Sequence, residues 1–369
     1  MKVIFTCGGT AGHVNPALAL AGYMKKKHAD LEVLFVGTPD GIEKGLAEKA
    51  GYAYAGIEIS SFQRSLKKLR HNLHTARTML SSRREANAVL RRFQPDLVIG
   101  TGGYASYPIL KAAAKQGIPT AVHESNMIPG LTTKLLEPSA KVIMVGFEDC
   151  RAHYQHPEKI RVTGTPVRGD FFDLTREQAR AKLGYTDEKP LVVSFWGSLG
   201  ASTMNANMID FFAREKQAVF PFHHVHAVGS RGWTEMQQKL QQHDLNDPHL
   251  DIREYIYDMA VVMRAADLVI CRAGASTISE LTALGMPAVM VPSPYVVANH
   301  QEKNARILEK HGGAVVLLEQ DAGGEKLYET AASILADPTR LQAMQNGMAE
   351  LGILDATERI YDTVMSLLG

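Results

Sequence analysis

Two successive series of short apolar runs, each run followed by a stretch with helical patterning, constrain this chain more than any other feature. KVIFT (2–6), EVLFVG (32–37), DLVIGT (96–101), TAVHE (120–124) and KVIMVG (141–146) form the first series. LVVSFW (191–196), HHVHAVG (223–229), DLVIC (267–271) and AVMVP (288–292) form the second. Runs of this kind are strands of a parallel sheet, buried on both faces by crossover helices. The βαβ alternation thus occurs twice, and 369 residues exceed what one hydrophobic core organises. The expectation is an α/β chain of two Rossmann-like, doubly wound domains facing a cleft, with ligands at the carboxyl ends of the strands. GTPVR (164–168) carries the turn signals of a linker and puts the boundary near residue 164.

Four glycine-rich loops follow strands and open helices: CGGTAGHVNPALALA (7–21), TGGYASYP (101–108), WGSLGAS (196–202) and RAGASTISE (272–280). Glycine permits tight turns and close ligand approach, and free amides at a helix start attract anions, phosphate above all. One such loop is equally well explained as an ordinary βα turn; four, split between two domains, favour a nucleotide. None is a dinucleotide fingerprint or a P-loop, since the first reads G-G-x-x-G-H and no phosphate-binding lysine follows. In that loop Thr10, Gly12 and His13 adjoin the glycines, with Asn15 expected as helix N-cap and Pro16 as first helical residue. HESN (123–126) places His123, Glu124 and Asn126 at the end of an apolar strand. Glu280 follows Ser276 by four residues on a predicted helix, so both share a face, and a carboxylate there suits two ribose hydroxyls. Asn299, His300 and Gln301 follow a strand and a proline-containing turn, offering amides to the hydroxyls and acetamido group of a sugar.

Charge is distributed unevenly. Residues 1–163 hold 22 Lys and Arg against 13 Asp and Glu, whereas residues 164–369 hold 18 against 26. A basic half of this kind suits an anionic partner. Between Ser60 and Pro95 there are nine basic residues and one acid, Glu85, with Phe62, Leu66, Leu69 and Leu73 at helical spacing. Arg64, Lys67, Lys68, Arg70 and Arg77 flank them, which fits either a solvated core-facing helix or a patch on anionic lipid. No apolar run approaches the roughly 20 residues that span a bilayer, so membrane contact is expected to be peripheral. Met1–Thr6 lacks the features of a signal peptide, and Cys7, Cys150 and Cys271 are few and far apart, which suits a reducing compartment. No Asp-x-Asp motif occurs. His224 and His226 of HHVH share one strand face and are expected to be structural, with no metal site.

Taken together and in order, GGTAGHVNPALALA, TGGYASYP, HESN-x-x-PG, GTPVR, GSLGAS, YIYDM, CRAGASTISEL, GMPAVMVP and NHQEKNA resemble the MurG family. These are the bacterial UDP-N-acetylglucosamine transferases of peptidoglycan synthesis, and the resemblance covers nearly the whole chain. It implies the two-domain GT-B fold, with residues 1–163 as acceptor and membrane-associating domain and 164–350 as donor domain. The C-terminal helix, 351–369, is expected to return to the first domain. The implied reaction moves N-acetylglucosamine from UDP-N-acetylglucosamine to undecaprenyl-linked muramyl-pentapeptide, lipid I, giving lipid II. It implies a cytoplasmic-face, peripheral enzyme with no required cofactor, working on an anionic membrane surface and not on nucleic acid.

By the same resemblance Arg168 and Ser198 contact the diphosphate, and the Ile256 backbone pairs with uracil between Tyr255 and Met259. Ala275, Ser276 and Thr277 line the nucleotide, Glu280 holds the ribose, and Gln301 with His300 holds the sugar. Thr10, Gly12 and Asn126 also face the donor, while His13, Tyr104, Glu124 and Asn126 match mechanistic positions. Ala11, Ser125, Trp196 and His300 depart from the commonest pattern. An α-linked donor and a β-linked product require one inverting displacement with a base, for which His13 suits neutral pH. Glu124 is the competing base, or else it orients His13 or a nearby amide. Arg168, Ser198 and the amides of Gly200–Ser202 would meet the leaving-group charge. Rival readings are a non-hydrolysing UDP-N-acetylglucosamine 2-epimerase, a glycolipid transferase on a diacylglycerol acceptor, and a silent nucleotide-binding protein.

Overall fold

A computed structural model describes residues 1–59, 69–296 and 299–369, with side chains of Ala11 and 69–80 outside the description. The chain forms two compact units, Met1–Val167 with Ile353–Gly369, and Arg168–Gly352.

The first unit runs β1 (Lys2–Thr6), α1 (Ala11–Lys27), β2 (Glu32–Gly37), α2 (Ile42–Lys49), β3 (Ala53–Gly56), α3 (Leu69–Phe93) and β4 (Leu97–Gly100). It continues with α4 (Ser106–Lys115), β5 (Thr120–Glu124), α5 (Leu131–Leu136), β6 (Val142–Val145) and β7 (Ile160–Val162). Its strands form one parallel sheet in the order β3-β2-β1-β4-β5-β6-β7. The second unit runs α6 (Arg176–Leu183), β8 (Leu191–Phe195), α7 (Ser202–Gln217), β9 (His223–Ala227), α8 (Trp233–Gln242), β10 (Leu250–Arg253) and α9 (Met259–Ala265). Then follow β11 (Leu268–Cys271), α10 (Ala275–Leu284), β12 (Ala288–Met290), α11 (His300–Lys310), β13 (Ala314–Val316), α12 (Gly324–Leu335) and α13 (Pro338–Glu350). Its sheet has the order β10-β9-β8-β11-β12-β13, again parallel. The last helix, α14 (Ala356–Met365), belongs to the first unit, where Ile360 and Val364 join the core around Phe5, Leu20 and Phe35.

In each sheet the strand order reverses beside the first strand of its unit, β1 or β8. The crevice outside the carboxyl ends of such strands is where ligands bind in this architecture. The four strands absent from the sequence expectation, β3, β7, β10 and β13, are the four sheet edges. Edge strands are shorter and wetter than central ones, so no long apolar run marks them.

The expected start of α1 needs correction. The helix begins at Ala11 with Thr10 as N-cap, so Asn15 is not the cap and Pro16 lies inside the helix. Pro16 has no N–H and cannot close the usual bond to the Gly12 carbonyl; the early helical position limits this loss to one bond beyond the first turn. The basic segment from Ser60 to Lys68 and its continuation to residue 80 lie outside the described side chains. Among the described residues no helix is long and apolar enough to cross a membrane.

Candidate active site

In the first unit three loops follow the carboxyl ends of the neighbouring strands β1, β4 and β5. The loop after β1 and the loop after β4 interlock through glycine. A Cβ on Gly102, whose φ is +109°, would lie 2.6 Å from His13 Cδ2, and one on Gly103 would run into the Gly8 carbonyl oxygen. Thr101 Oγ1 donates to the His13 carbonyl at 2.6 Å. His13, in the first turn of α1, sits with Nδ1 2.9 Å from the Gly8 carbonyl oxygen and 3.4 Å from Thr10 Oγ1. A carbonyl only accepts, so Nδ1 carries the proton and Nε2 of the neutral ring holds the lone pair. Tyr104 follows the second loop and is 37% exposed; burial and the nearby Glu43 push its hydroxyl pKa up.

Glu124 ends β5 and is buried. Its Oε1 accepts from Asn126 N at 3.1 Å and Asn126 Nδ2 at 3.0 Å; its Oε2 accepts from Gly130 N at 3.0 Å and Thr133 Oγ1 at 2.7 Å. Four donors occupy this carboxylate, and none comes from His13. Of the two groups Glu124 was expected to orient, His13 or a nearby amide, these contacts are to amides; the partner of His13 is the Gly8 peptide, and Glu124 braces the loop that carries Asn126. His123, beside it, is a core residue whose Nε2 meets the Gly164 carbonyl at 3.0 Å; burial holds its pKa down.

In the second unit a cavity of about 530 Å³ opens at the carboxyl end of β8. Gly197 and Leu199–Ser202 of the turn line it together with Thr277 of α10 and Gln301 of α11, so two of the four glycine loops share it. Gln301 Oε1 accepts from Ser293 N at 2.9 Å, which fixes the amide with Nε2 as its donor end. Three charged side chains line the cavity: Arg231, Arg272 and Glu319. Arg272 and Glu319 form a close ion pair, and Arg272 also donates to the Val291 carbonyl at 3.1 Å. Arg231 has no ion-pair partner among the described residues, so the lining carries one uncompensated positive charge. Its loop is locked onto the first turn, since Ser230 N donates to the Ser198 carbonyl at 3.2 Å and a Cβ on Gly229 would overlap the Gly200 backbone.

Other expected donor residues stand elsewhere in this unit. Ser198 is exposed on the turn without lining the cavity. Ala275 and Ser276 open α10, and Glu280 lies one turn on, half-buried. Burial pushes the Glu280 carboxyl up to about 7, against the opposing pull of Arg168 and with a smaller push from Asp170. Arg168 pairs with Asp170 at 3.5 Å and lies over the Phe171 ring. Arg168 and Glu280 are thus close enough to feel each other, which their separation in sequence did not reveal. Ile256 is buried between the exposed Tyr255 and Tyr257, whose rings meet at 4.9 Å, and Met259 opens α9. His300 is the first residue of α11. The histidines of HHVH are internal: His224 and His226 each meet Ser194 Oγ at 2.7 Å, and His224 meets Glu215 at 3.0 Å.

Residues 3–145 match the glycosyltransferase family 28 N-terminal domain, and residues 191–360 match the C-terminal domain of that family. A protein of Acetivibrio thermocellus named UDP-N-acetylglucosamine–N-acetylmuramyl-(pentapeptide) pyrophosphoryl-undecaprenol N-acetylglucosamine transferase is 41% identical over all of this chain and 98% of its own length. The crystal structure of Acinetobacter baumannii MurG superposes with a TM-score of 0.79 at 26% identity, covering 99% of each chain. The chain belongs to the MurG family of family-28 glycosyltransferases. Its architecture is accordingly the two-domain GT-B fold. A UDP-N-acetylglucosamine 2-epimerase from Neisseria meningitidis shares the fold with a TM-score of 0.67, over 99% of this chain and 100% of its own, at 14% identity. Within this family-28 frame, Glu43, Arg231 and the Arg272–Glu319 pair went unnoticed in the sequence. For Arg231 a signal existed: S-R-G follows the strand HHVHAVG, at the strand end where ligands bind.

Proposed function

We propose that this chain transfers N-acetylglucosamine from UDP-N-acetylglucosamine to the undecaprenyl-linked muramyl-pentapeptide lipid I, with inversion, yielding lipid II for the cell wall. The observation that carries this reading is the cavity of the second unit, where glycine amides, an unpaired arginine and a fixed carboxamide converge, in a chain with full-length family-28 relatives. The second unit takes the donor. Gln301 and His300 meet the sugar, Thr277 and the Gly200–Ser202 amides face the diphosphate with Arg168, Ser198 and Arg231, and Glu280 receives the ribose hydroxyls. Uracil lies at Ile256, with Ala275 and Ser276 along the nucleotide. The first unit takes the acceptor.

In the reaction the acceptor hydroxyl oxygen bonds to C1 of the sugar as the bond from C1 to the phosphate oxygen breaks. The bonding pair leaves with UDP, and the hydroxyl proton passes to His13 Nε2. The geometry favours His13 over Glu124 as base, because among the described residues nothing donates to His13 Nε2 while Glu124 is occupied by four donors. Tyr104 and Asn126 orient the acceptor, and Thr10 and Gly12 approach the donor. Preorganised cations and amides meet the charge developing on UDP. The basic first half holds the enzyme peripherally on the anionic cytoplasmic face of the bacterial membrane, where its acceptor is anchored.

Transfer of labelled N-acetylglucosamine to a panel of acceptors tests this. Label should enter a lipid-linked muramyl-pentapeptide and not diacylglycerol. Formation of the C2 epimer from UDP-N-acetylglucosamine alone would replace this reading with an epimerase.

A further inference from the structure

Glu43 lies directly beneath the first glycine loop, in the first turn of α2, and is fully buried. Its Oε1 accepts from Thr38 N at 2.8 Å and from Thr38 Oγ1 at 2.7 Å, and its Oε2 faces Gly9 N at 3.4 Å. Among the described residues no lysine or arginine pairs with it. Glycines make the room: a Cβ on Gly37 would lie 2.6 Å from Glu43 Cγ, one on Gly8 would lie 3.0 Å from Oε1, and one on Gly41 would overlap Oε1. A buried carboxylate without a cation is costly, so its retention needs a reason beyond packing.

The reason offered by the geometry is the peptide it touches. The N–H of Gly9 and the C=O of Gly8 belong to one peptide unit. The N–H end faces Glu43, and the C=O end accepts the His13 Nδ1 proton at 2.9 Å. We propose that Glu43 is a positioning residue for the transfer reaction: acting through the Gly8–Gly9 peptide, its carboxylate holds His13 in the Nδ1-protonated tautomer and strengthens Nε2 as a base. This rests on the reading of His13 as the base. Polarisation along a chain of hydrogen bonds supplies the coupling. Because 3.4 Å is long for a hydrogen bond, the effect comes mainly from a charge close to a peptide dipole in a low-dielectric pocket.

Glu43 is the acid hydrogen-bonded to this peptide; Glu48 acts on Tyr54 and Glu124 on His123 from further off. Cys7, at the end of β1, has its thiol pushed up to about 12 by burial and by Glu43. Tyr104 of the second loop is raised by burial and Glu43, and Tyr54 of β3 by burial, Glu43, Cys7 and Glu48, so all three are neutral near pH 7. His123 of β5 is near enough to feel the charge of His13, but its own pKa is held down chiefly by burial, so it is neutral as well. Gly102 leaves the space that the His13 ring occupies, since a Cβ there would lie 2.6 Å from Cδ2.

The test is kinetic and spectroscopic. In Glu43→Gln, kcat on a soluble lipid I analogue should fall about ten- to a hundredfold, a part of the 10²–10⁴-fold that acid–base catalysis supplies. KM for UDP-N-acetylglucosamine should hold within about twofold, and the acidic limb of kcat against pH should move to lower pH, since a less basic imidazole stays deprotonated further down. A brace without this role would leave the limb in place, and that result overturns the proposal. The double variant Glu43→Gln/His13→Ala should be no slower than His13→Ala alone. Nitrogen-15 NMR of the wild-type imidazole keeps the proposal testable if Glu43→Gln does not fold: protonation of Nδ1 in the neutral ring upholds it, and protonation of Nε2 refutes it. If His13→Ala retains full rate, the base assignment fails. The coupling then still stands or falls on whether the His13 resonances of Glu43→Gln titrate at lower pH than those of the wild type.

Discussion

Gly102→Ala isolates the geometry of His13 without touching its chemistry. The new Cβ would stand 2.6 Å from His13 Cδ2, where ordinary carbon–carbon contact needs roughly 3.5 Å or more. The ring must therefore retreat by about 1 Å, which breaks its alignment with the Gly8 carbonyl, and a misplacement of about 1 Å at a reacting group is worth on the order of 10² in rate. A φ of +109° is also foreign to alanine and adds about 1–3 kcal/mol of strain. The expected outcome is a chemical step slower by about a hundredfold, a lower Tm, and a nearly unchanged dissociation constant for UDP-N-acetylglucosamine, whose main contacts are proposed in the other unit. Single-turnover transfer with pre-bound donor reads the chemical step, and calorimetry reads donor affinity. A variant that is less stable yet transfers at the wild-type rate would refute the placement of His13 at the reacting hydroxyl.

Other sites give independent expectations. Glu280→Ala should weaken UDP binding about tenfold to a hundredfold, the worth of hydrogen bonds to a charged group, and calorimetry with UDP alone checks it. Because burial holds the free Glu280 carboxyl up to about 7, while ribose hydroxyls favour its charged form, binding should release a proton below that pH. Affinity should then rise with pH and level off above about 7, and calorimetry in buffers of different ionisation enthalpy should detect the proton. Arg231→Ala should weaken UDP-N-acetylglucosamine binding about tenfold at low salt and less at high salt, as expected of an exposed cation on a diphosphate; equal affinity at both would remove it from the site. Vesicle flotation should depend on anionic lipid and fall with salt, with about 1 kcal/mol per basic residue at the surface. Lys67, Lys68 and Arg70 changed together to Glu should release the protein while transfer to a short-chain soluble acceptor continues; equal flotation of the wild type on neutral vesicles would end the electrostatic account.

The sheet interiors were legible because both faces of β1, β4, β5, β8 and β11 are covered, and residues such as Val3–Phe5 and Val192–Val193 had to be apolar. The edges were not. Tyr54 and Ile252 face partly open surroundings, and Leu250–Arg253 reads LDIR, an alternation of only four residues, too short to stand out. The start of α1 misled for a different reason: Asn15–Pro16 is a good local N-cap signal, but the loop before it also continues into helical backbone. There the glycines and the Thr101 contact to the His13 carbonyl hold the first turn in place, a tertiary effect that no local rule contains.

The site shows the same division between local and distant causes. Glycine loops, the His13 position and the pairing of Glu280 with a helix face were available from spacing, because each is set within one βα unit. Contacts between loops were not. Glu124 ends β5 and His13 follows the first glycine loop, yet their positions in sequence say nothing about which donors saturate the carboxylate, such as Thr133 nine residues further on. Glu43 was hidden more deeply. On a short helix it reads as a solvated acid, and only the neighbouring glycines, scattered at 8, 37 and 41, hint that a carboxylate is enclosed there. An acid surrounded by residues without side chains is still weak evidence by itself, since glycine is also the commonest residue of a turn. What turns it into a mechanistic element is that one end of a peptide faces the acid and the other end meets the histidine, and this follows only once β1, α2 and the start of α1 are placed in space.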